Sequence, residues 1–239
     1  MKLLERERVR RRPPPEPADV PDWEPWWVVL LPAAVIVFQL VFAAVAAAGV
    51  RLDLGGVLAL TALSDAVVVG IVWIGLCAMR GLPASSLGLR PPERTRDLFI
   101  LPAAGLVLSY AGVLLSDAAV ELLSGRPLPP QTSIRILSGV QGTGLRLLAV
   151  LVVGMVAPVC EEILFRGVVF RILWRRMGRA GAVVLSALLF SAAHLDLAHA
   201  LPLAAVGMVL AWLVLRSGSL YPGMILHALI NTASLVSSW

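Results

Sequence analysis

The chain predicts an all-α, polytopic membrane bundle of about seven spans, and three observations predict it. Hydrophobic residues make up 59% of the 239 residues and the mean hydropathy is +0.87, whereas a soluble domain is roughly 45 to 50% apolar. Apolar runs of about 20 residues, the length that crosses a bilayer as a helix, follow one another with short gaps. The net charge of +5 comes almost wholly from arginines gathered in those gaps. That is a topology signal, and it argues against nucleic-acid binding, which needs a basic face interleaved with base-reading residues. Cys77 and Cys160 both fall in apolar runs, so no disulfide framework is implied.

Residues 1–25 hold Arg6, Arg8, Arg10, Arg11 and Arg12, then Pro13-Pro14-Pro15 and scattered acids. Such a segment cannot bury enough apolar area to fold alone and is expected as a flexible cytoplasmic tail. The apolar region from Trp26 to Val50 is too long for a signal peptide and is expected to be retained as a first span. The N-terminal transmembrane helices, within 26–123, are expected at 26–48, 56–79 and 98–120. Residues 124–144 contain Gly, Pro and a weakly amphipathic stretch from Ile134 to Val140, and predict an outer loop or short interfacial helix. The core, 145–239, is expected to span at 145–170, 180–196, 198–215 and 219–238.

Trp26, Trp27, Trp73, Trp174, Trp212, Tyr221 and Trp239 fall mostly near the ends of these runs, as interfacial anchors do. With the N-terminus inside, the inner segments hold Lys2, the five tail arginines, Arg80, Arg90, Arg94, Arg96, Arg171, Arg175, Arg176, Arg179 and Arg216, and the outer ones only Arg51, Arg126, Arg135 and Arg146. The excess predicts a cytoplasmic N-terminus. The arginine-rich, lysine-poor composition suggests a prokaryotic inner membrane. No internal repeat is present, so the inverted-repeat signature of many secondary transporters is missing.

Against this apolar background three polar clusters stand out. The first is Glu161-Glu162-Ile163-Leu164-Phe165-Arg166. An ionisable side chain at bilayer depth costs at least about 2.5 to 3.5 kcal/mol, so three within one short stretch need partners or a task. At roughly 100° per helical residue, Glu162 and Arg166 lie about 40° apart, whereas Glu161 is about 140° from Arg166. Glu162 is therefore expected to pair with Arg166 and serve structure, leaving Glu161 for chemistry. Pro158 lacks an amide hydrogen and should free the Gly154 carbonyl, kinking the helix and opening room for water beside the carboxylates. The other clusters are Phe190 to His194 and His227 to Asn231. Spacing of i, i+4 stacks each pair on one helix face, so His227 and Asn231 can address one cavity.

Taken together, E-E-x-x-x-R, F-x-x-x-H and H-x-x-x-N on successive helices resemble the signature of the CAAX prenyl protease and bacteriocin-processing family of intramembrane proteases. Ala157-Pro158 and Phe165-Arg166-Gly167 are similar to it too. The resemblance covers about residues 145 to 235 and implies a glutamic-type peptidase. In it, Glu161 with His194 would activate a water and His227 with Asn231 would steady the oxyanion, with Glu162, Arg166 and Phe190 in support. The physics agrees with such an assignment: peptide hydrolysis needs a base tuned towards neutrality, which a low-dielectric, partly wet cavity supplies, and each pre-aimed oxyanion donor contributes roughly 3 to 4 kcal/mol.

No cofactor is expected. The competing reading makes Glu161, His194 and His227 a zinc ligand set with a fourth position for water, but these come from three helices without H-E-x-x-H spacing and leave Asn231 without a role. Cys160 points about 100° from Glu161 and is expected to be a buried, inert thiol. Asp196 and His199 are expected to be solvated in an outer turn. Asp65 either lines the cavity or bonds a neighbouring helix. A catalytically silent scaffold or immunity protein of the same fold, and a proton-coupled carrier, are the alternatives to a peptidase. Expected partners are a membrane-embedded or membrane-anchored peptide substrate and the bilayer itself.

Overall fold

The computed structural model describes residues 22–47 and 53–239, and these are helical throughout their regular structure. The predicted tail at 1–25 lies mostly outside the described residues. Helix α1 runs Trp27–Ala47. α2 runs Leu54–Val72 and continues through a π-helical turn, Trp73–Cys77, and a 3-10 turn, Ala78–Arg80. α3 is Asp97–Ser124 and the short α4 is Thr132–Leu137. α5 is the long rod Thr143–Ala193, α6 is Ala200–Ser217 and α7 is Tyr221–Ser237.

Among the described residues four helices are long and apolar enough to cross a membrane by themselves: Leu54–Arg80, Asp97–Ser124, Thr143–Ala193 and Ala200–Ser217, the third of them holding two of the expected spans. α1 has 21 residues and α7 has 17, and at about 1.5 Å per residue both fall within the range of lengths that crosses a bilayer. The two spans expected at 145–170 and 180–196 form one hydrogen-bonded run broken at Gly178, whose φ of 75° and ψ of 179° are not helical. A left-handed φ is cheap only for glycine, so the reversal falls where the sequence offers one. Large apolar side chains such as Leu114, Leu115, Leu122 and Leu123 face outward on α3, an arrangement that needs lipid rather than water. The chain is an integral membrane protein with a helical bundle fold.

The core that positions the polar clusters is built around Phe165, Phe170 and Phe190, with Val168, Trp174, Leu220 and Leu31. Trp174 is 2% exposed and packs on Phe170, which corrects its expected role as an interfacial anchor. It sits at a helix end, but the return of the chain after Gly178 covers it. A second cluster joins Leu58, Val152 and Leu235 to Leu137 and Val140, so α4 and the turn after it are packed on the bundle. The arginines sort by end. Arg80 pairs with Glu24 and Arg175 with Asp22 at the end where Arg90 meets Gly218, whereas Arg146 reaches Val140 and Trp239 at the other.

Candidate active site

α5 is not a uniform α-helix where it carries the glutamates. Ala157–Glu162 is α-helical between two π-helical stretches, Val150–Val156 and Ile163–Val169. The disturbance expected from Pro158 thus takes the form of widened turns, which often mark functional sites. Their freed carbonyls are met from α7: Thr232 Oγ1 donates to Gly154 O at 3.3 Å and Asn231 Nδ2 donates to Val153 O at 3.2 Å. These two bonds stitch α7 against α5 at the level of the clusters.

Glu162 and Arg166 are both fully buried and form an ion pair at 3.1 Å. The same Glu162 oxygen, Oε1, lies 3.1 Å from His227 Nδ1. Arg166 also donates from Nη2 to Gly207 O at 3.0 Å on α6, and its guanidinium lies 4.4 Å from the Phe190 ring centre. A buried guanidinium is tolerable only with such compensation. Gly223 permits the arrangement, because a Cβ there would stand 3.0 Å from Glu162 Oε2.

Glu161 is in different surroundings. Its side chain is 25% exposed, and its Oε2 faces two imidazole nitrogens, Nε2 of His227 at 3.7 Å and Nε2 of His194 at 3.9 Å. Oε2 has no hydrogen-bond partner in the protein. Both separations exceed a hydrogen bond, and each suits one bridging water.

The histidine tautomers follow from their other contacts. His194 Nδ1 lies 2.8 Å from Phe190 O, and a carbonyl oxygen only accepts, so Nδ1 carries the proton and Nε2 presents a lone pair. His227 Nδ1 donates in the same sense to the Arg166-paired carboxylate of Glu162. Phe190 makes edge contacts with both rings, at 4.6 Å to His194 and 5.6 Å to His227, and with Phe165 at 5.3 Å. It is the common wall that holds the two imidazoles apart.

The structure therefore brings Glu161, Glu162, Arg166, Phe190, His194 and His227 into one group, with Asn231 one turn further along α7. Asn231 spends one N–H on Val153 and has a second to give. The sequence reading missed the Glu162 to His227 contact, which joins residues 65 apart and has no local signature. It also missed Gln39, whose Nε2 donates to Ala193 O at 2.7 Å and so caps the helix that ends at His194.

Two expectations are corrected. Asp196 and His199 are not solvated: their side chains are 11% and 14% exposed, and Asp196 Oδ1 lies 3.0 Å from His199 Nδ1. Asp196 Oδ2 accepts from Thr132 N at 3.3 Å, so the start of α4 closes over the turn. Burial alone would push the Asp196 carboxyl up, but the His199 ring and the Thr132 amide outweigh it and hold it below its ordinary value. Cys160 is a free thiol, half-buried rather than buried. Asp65, which had no partner in sequence, is brought by α2 within electrostatic reach of Glu161 and Cys160, with Oδ2 buried and unbonded.

Among the described residues no group of three or more His, Cys, Asp or Glu is arranged to hold a metal ion. With zinc bonds of about 2.1 Å, tetrahedral neighbours sit roughly 3.4 Å apart, closer than the Glu161 to histidine separations of 3.7 and 3.9 Å.

A helical membrane core carrying two carboxylates and two imidazoles on facing helices has the makings of a membrane-embedded hydrolase site. Comparison with known proteins is specific about the class. Residues 143–233 match the model of the type II CAAX prenyl endopeptidase Rce1-like family, the stretch whose motifs resemble the CAAX prenyl protease and bacteriocin-processing family. A curated relative, "Putative membrane peptidase YdiL" of Bacillus subtilis (strain 168), is 32% identical over 85 residues, 36% of this chain and 35% of that protein. The chain thus aligns with about a third of that relative's length. No solved structure matches.

Proposed function

We propose that the protein is an intramembrane endopeptidase that hydrolyses a peptide bond of a membrane-embedded or membrane-anchored substrate with a water activated by Glu161 and His194. The observation that carries this reading is the convergence of Glu161 Oε2 on the Nε2 atoms of His194 and His227 at 3.9 and 3.7 Å. A water between them donates one proton to Glu161 and is oriented by the His194 lone pair, and its oxygen attacks the scissile carbonyl carbon. The carbonyl oxygen becomes an oxyanion. His227, its Nδ1 held by the Glu162 carboxylate, and the second N–H of Asn231 stabilise it. Collapse of the tetrahedral intermediate breaks the C–N bond, and Glu161 returns its proton to the leaving amine.

The family match supports the peptidase class, and the partial exposure of Glu161 beside the fully buried Glu162 supports its choice as the base. On this reading the active protein is metal-free and sits in the cell membrane with its arginine-rich end in the cytoplasm. Purified, active protein should contain far less than one zinc per chain. Stoichiometric zinc in elemental analysis, with activity lost to chelation and restored by zinc, would replace the mechanism with a zinc-dependent one. The substrate is approached by mapping new protein termini in the membrane proteome of cells with and without the intact gene, and with Glu161→Gln. Termini that persist in the Gln variant would count against the peptidase reading.

A further inference from the structure

Two arginines at the basic end of the bundle lack what Arg166 has. Arg171 lies on α5 ten residues after Glu161 and is 4% exposed, with Nε buried and unbonded. Among the described residues no carboxylate pairs with it or with Arg90. Arg90, two residues beyond the Gly88 that packs on Arg171, is also positive and within electrostatic reach of it. Bringing two guanidinium groups together, one of them buried, is unfavourable without an anion.

The place is built rather than accidental. The segment after α2 turns through Ala84–Leu87 and presents Gly88 at φ 89°, where a Cβ would collide with Arg171 Nη2 and stand 3.3 Å from its Cζ. Gly88 O accepts from Leu220 N at 2.9 Å, Arg90 Nε donates to Gly218 O at 3.2 Å, and Ser219 Oγ donates to Arg90 O at 2.5 Å. The turn is thus tied to the α6–α7 junction, with Arg90 held there and Gly88 packed on the Arg171 guanidinium. Arg90 is exposed and gives access from the surface, while Arg171 forms the floor.

We infer that Arg171 and Arg90 form a binding site for a phosphate oxyanion at the basic end of the bundle, the headgroup of an anionic phospholipid being the source that its position favours. Guanidinium forks match phosphate oxygens bidentately and are less strongly hydrated than ammonium groups. The basic end is where positive-inside topology sets anionic lipid headgroups beside the protein. The site is distinct from the glutamate and histidine cluster, and the inference does not depend on the peptidase reading.

The test uses the full chain, delipidated in detergent, and measures Tm with added phosphatidylglycerol, phosphatidylcholine or inorganic phosphate at constant ionic strength. Phosphatidylglycerol should raise Tm by about 5 °C over phosphatidylcholine, as a ligand well above its Kd does. Arg90→Gln and Arg171→Gln should each lose most of that gain, and Arg94→Gln should keep it. Should Arg171→Gln fail to fold, the exposed Arg90 variant still decides. A gain from inorganic phosphate that Arg90→Gln abolishes supports the site and assigns it to free phosphate. Equal Tm in the two lipids with no response to phosphate, or a gain lost equally in Arg94→Gln, overturns the inference.

Discussion

Glu161 and Glu162 are neighbours in sequence and opposites in surroundings. Glu162 is fully buried, bound to Arg166 at 3.1 Å and to His227 at 3.1 Å. Glu161 is a quarter exposed and has imidazoles near but not touching one oxygen. A carboxylate whose oxygen is already engaged is held in place, as a strut would be. One with an oxygen left open beside two nitrogens can take and return a proton. The difference arises because adjacent helical residues point about 100° apart, so one helix presents one carboxylate to a packed interior and the other to a partly exposed face beside the two imidazoles.

The sharpest way to break this comparison is to remove each charge in turn. Glu161→Gln is expected to lower cleavage by about 10³-fold or more while leaving Tm nearly unchanged, since no packed partner is lost. Turnover near the wild-type rate would assign the chemistry elsewhere. Glu162→Gln should instead destabilise by about 3 to 5 kcal/mol, because it leaves the Arg166 guanidinium buried and without its counter-charge, and activity should fall with it as His227 loses its orienting contact. Replacing both partners, Glu162→Leu with Arg166→Met, should recover most of the stability and none of the activity, since a buried ion pair exchanged for apolar groups is often neutral. Recovery of activity in the double variant would show that Glu162 does not act through His227.

Smaller changes sharpen the contrast. Gly223→Ala places a methyl group 3.0 Å from Glu162 Oε2, too close for an ordinary contact, so Glu162 and the His227 ring must shift. A loss of about tenfold in kcat with little change in KM is expected, and single-turnover kinetics would detect it. Asp196→Asn tests the turn that follows His194. It should lower Tm by roughly 2 to 4 °C, from about 1 kcal/mol, through weaker bonds to His199 and Thr132. Because the folded Asp196 carboxyl is held below its ordinary value, its stabilisation is present above the unfolded value near about 3.9 and is lost as pH falls through the folded one. The variant and wild type should therefore converge in acid, and a Tm difference that persists there would count against the ionic account.

Much of this was legible in one dimension. The apolar runs place the helices because a bilayer requires about 20 apolar residues to satisfy a backbone internally, and the Glu162 to Arg166 pair follows from helical spacing alone. The solvated reading of Asp196 and His199 failed because α4 comes to the turn from more than 60 residues earlier in the chain, and Trp174 was taken for an anchor because its cover is the return of the chain beyond Gly178.

By itself, then, the sequence determined the membrane class, the helices, the motif residues and the Glu162 to Arg166 pair within one helix. Only the tertiary structure decided that Glu161, His194 and His227 meet, that Glu162 turns from a local partner of Arg166 into a support for His227, and that Asn231 binds α7 to the widened turn at Val153. Those contacts depend on the rotation and crossing of helices, which are set by the packing of Phe165 and Phe190 and by the close approach at Gly207 and Gly223. Such packing is a sum over many weak contacts between distant residues, and no spacing rule within a single helix encodes it.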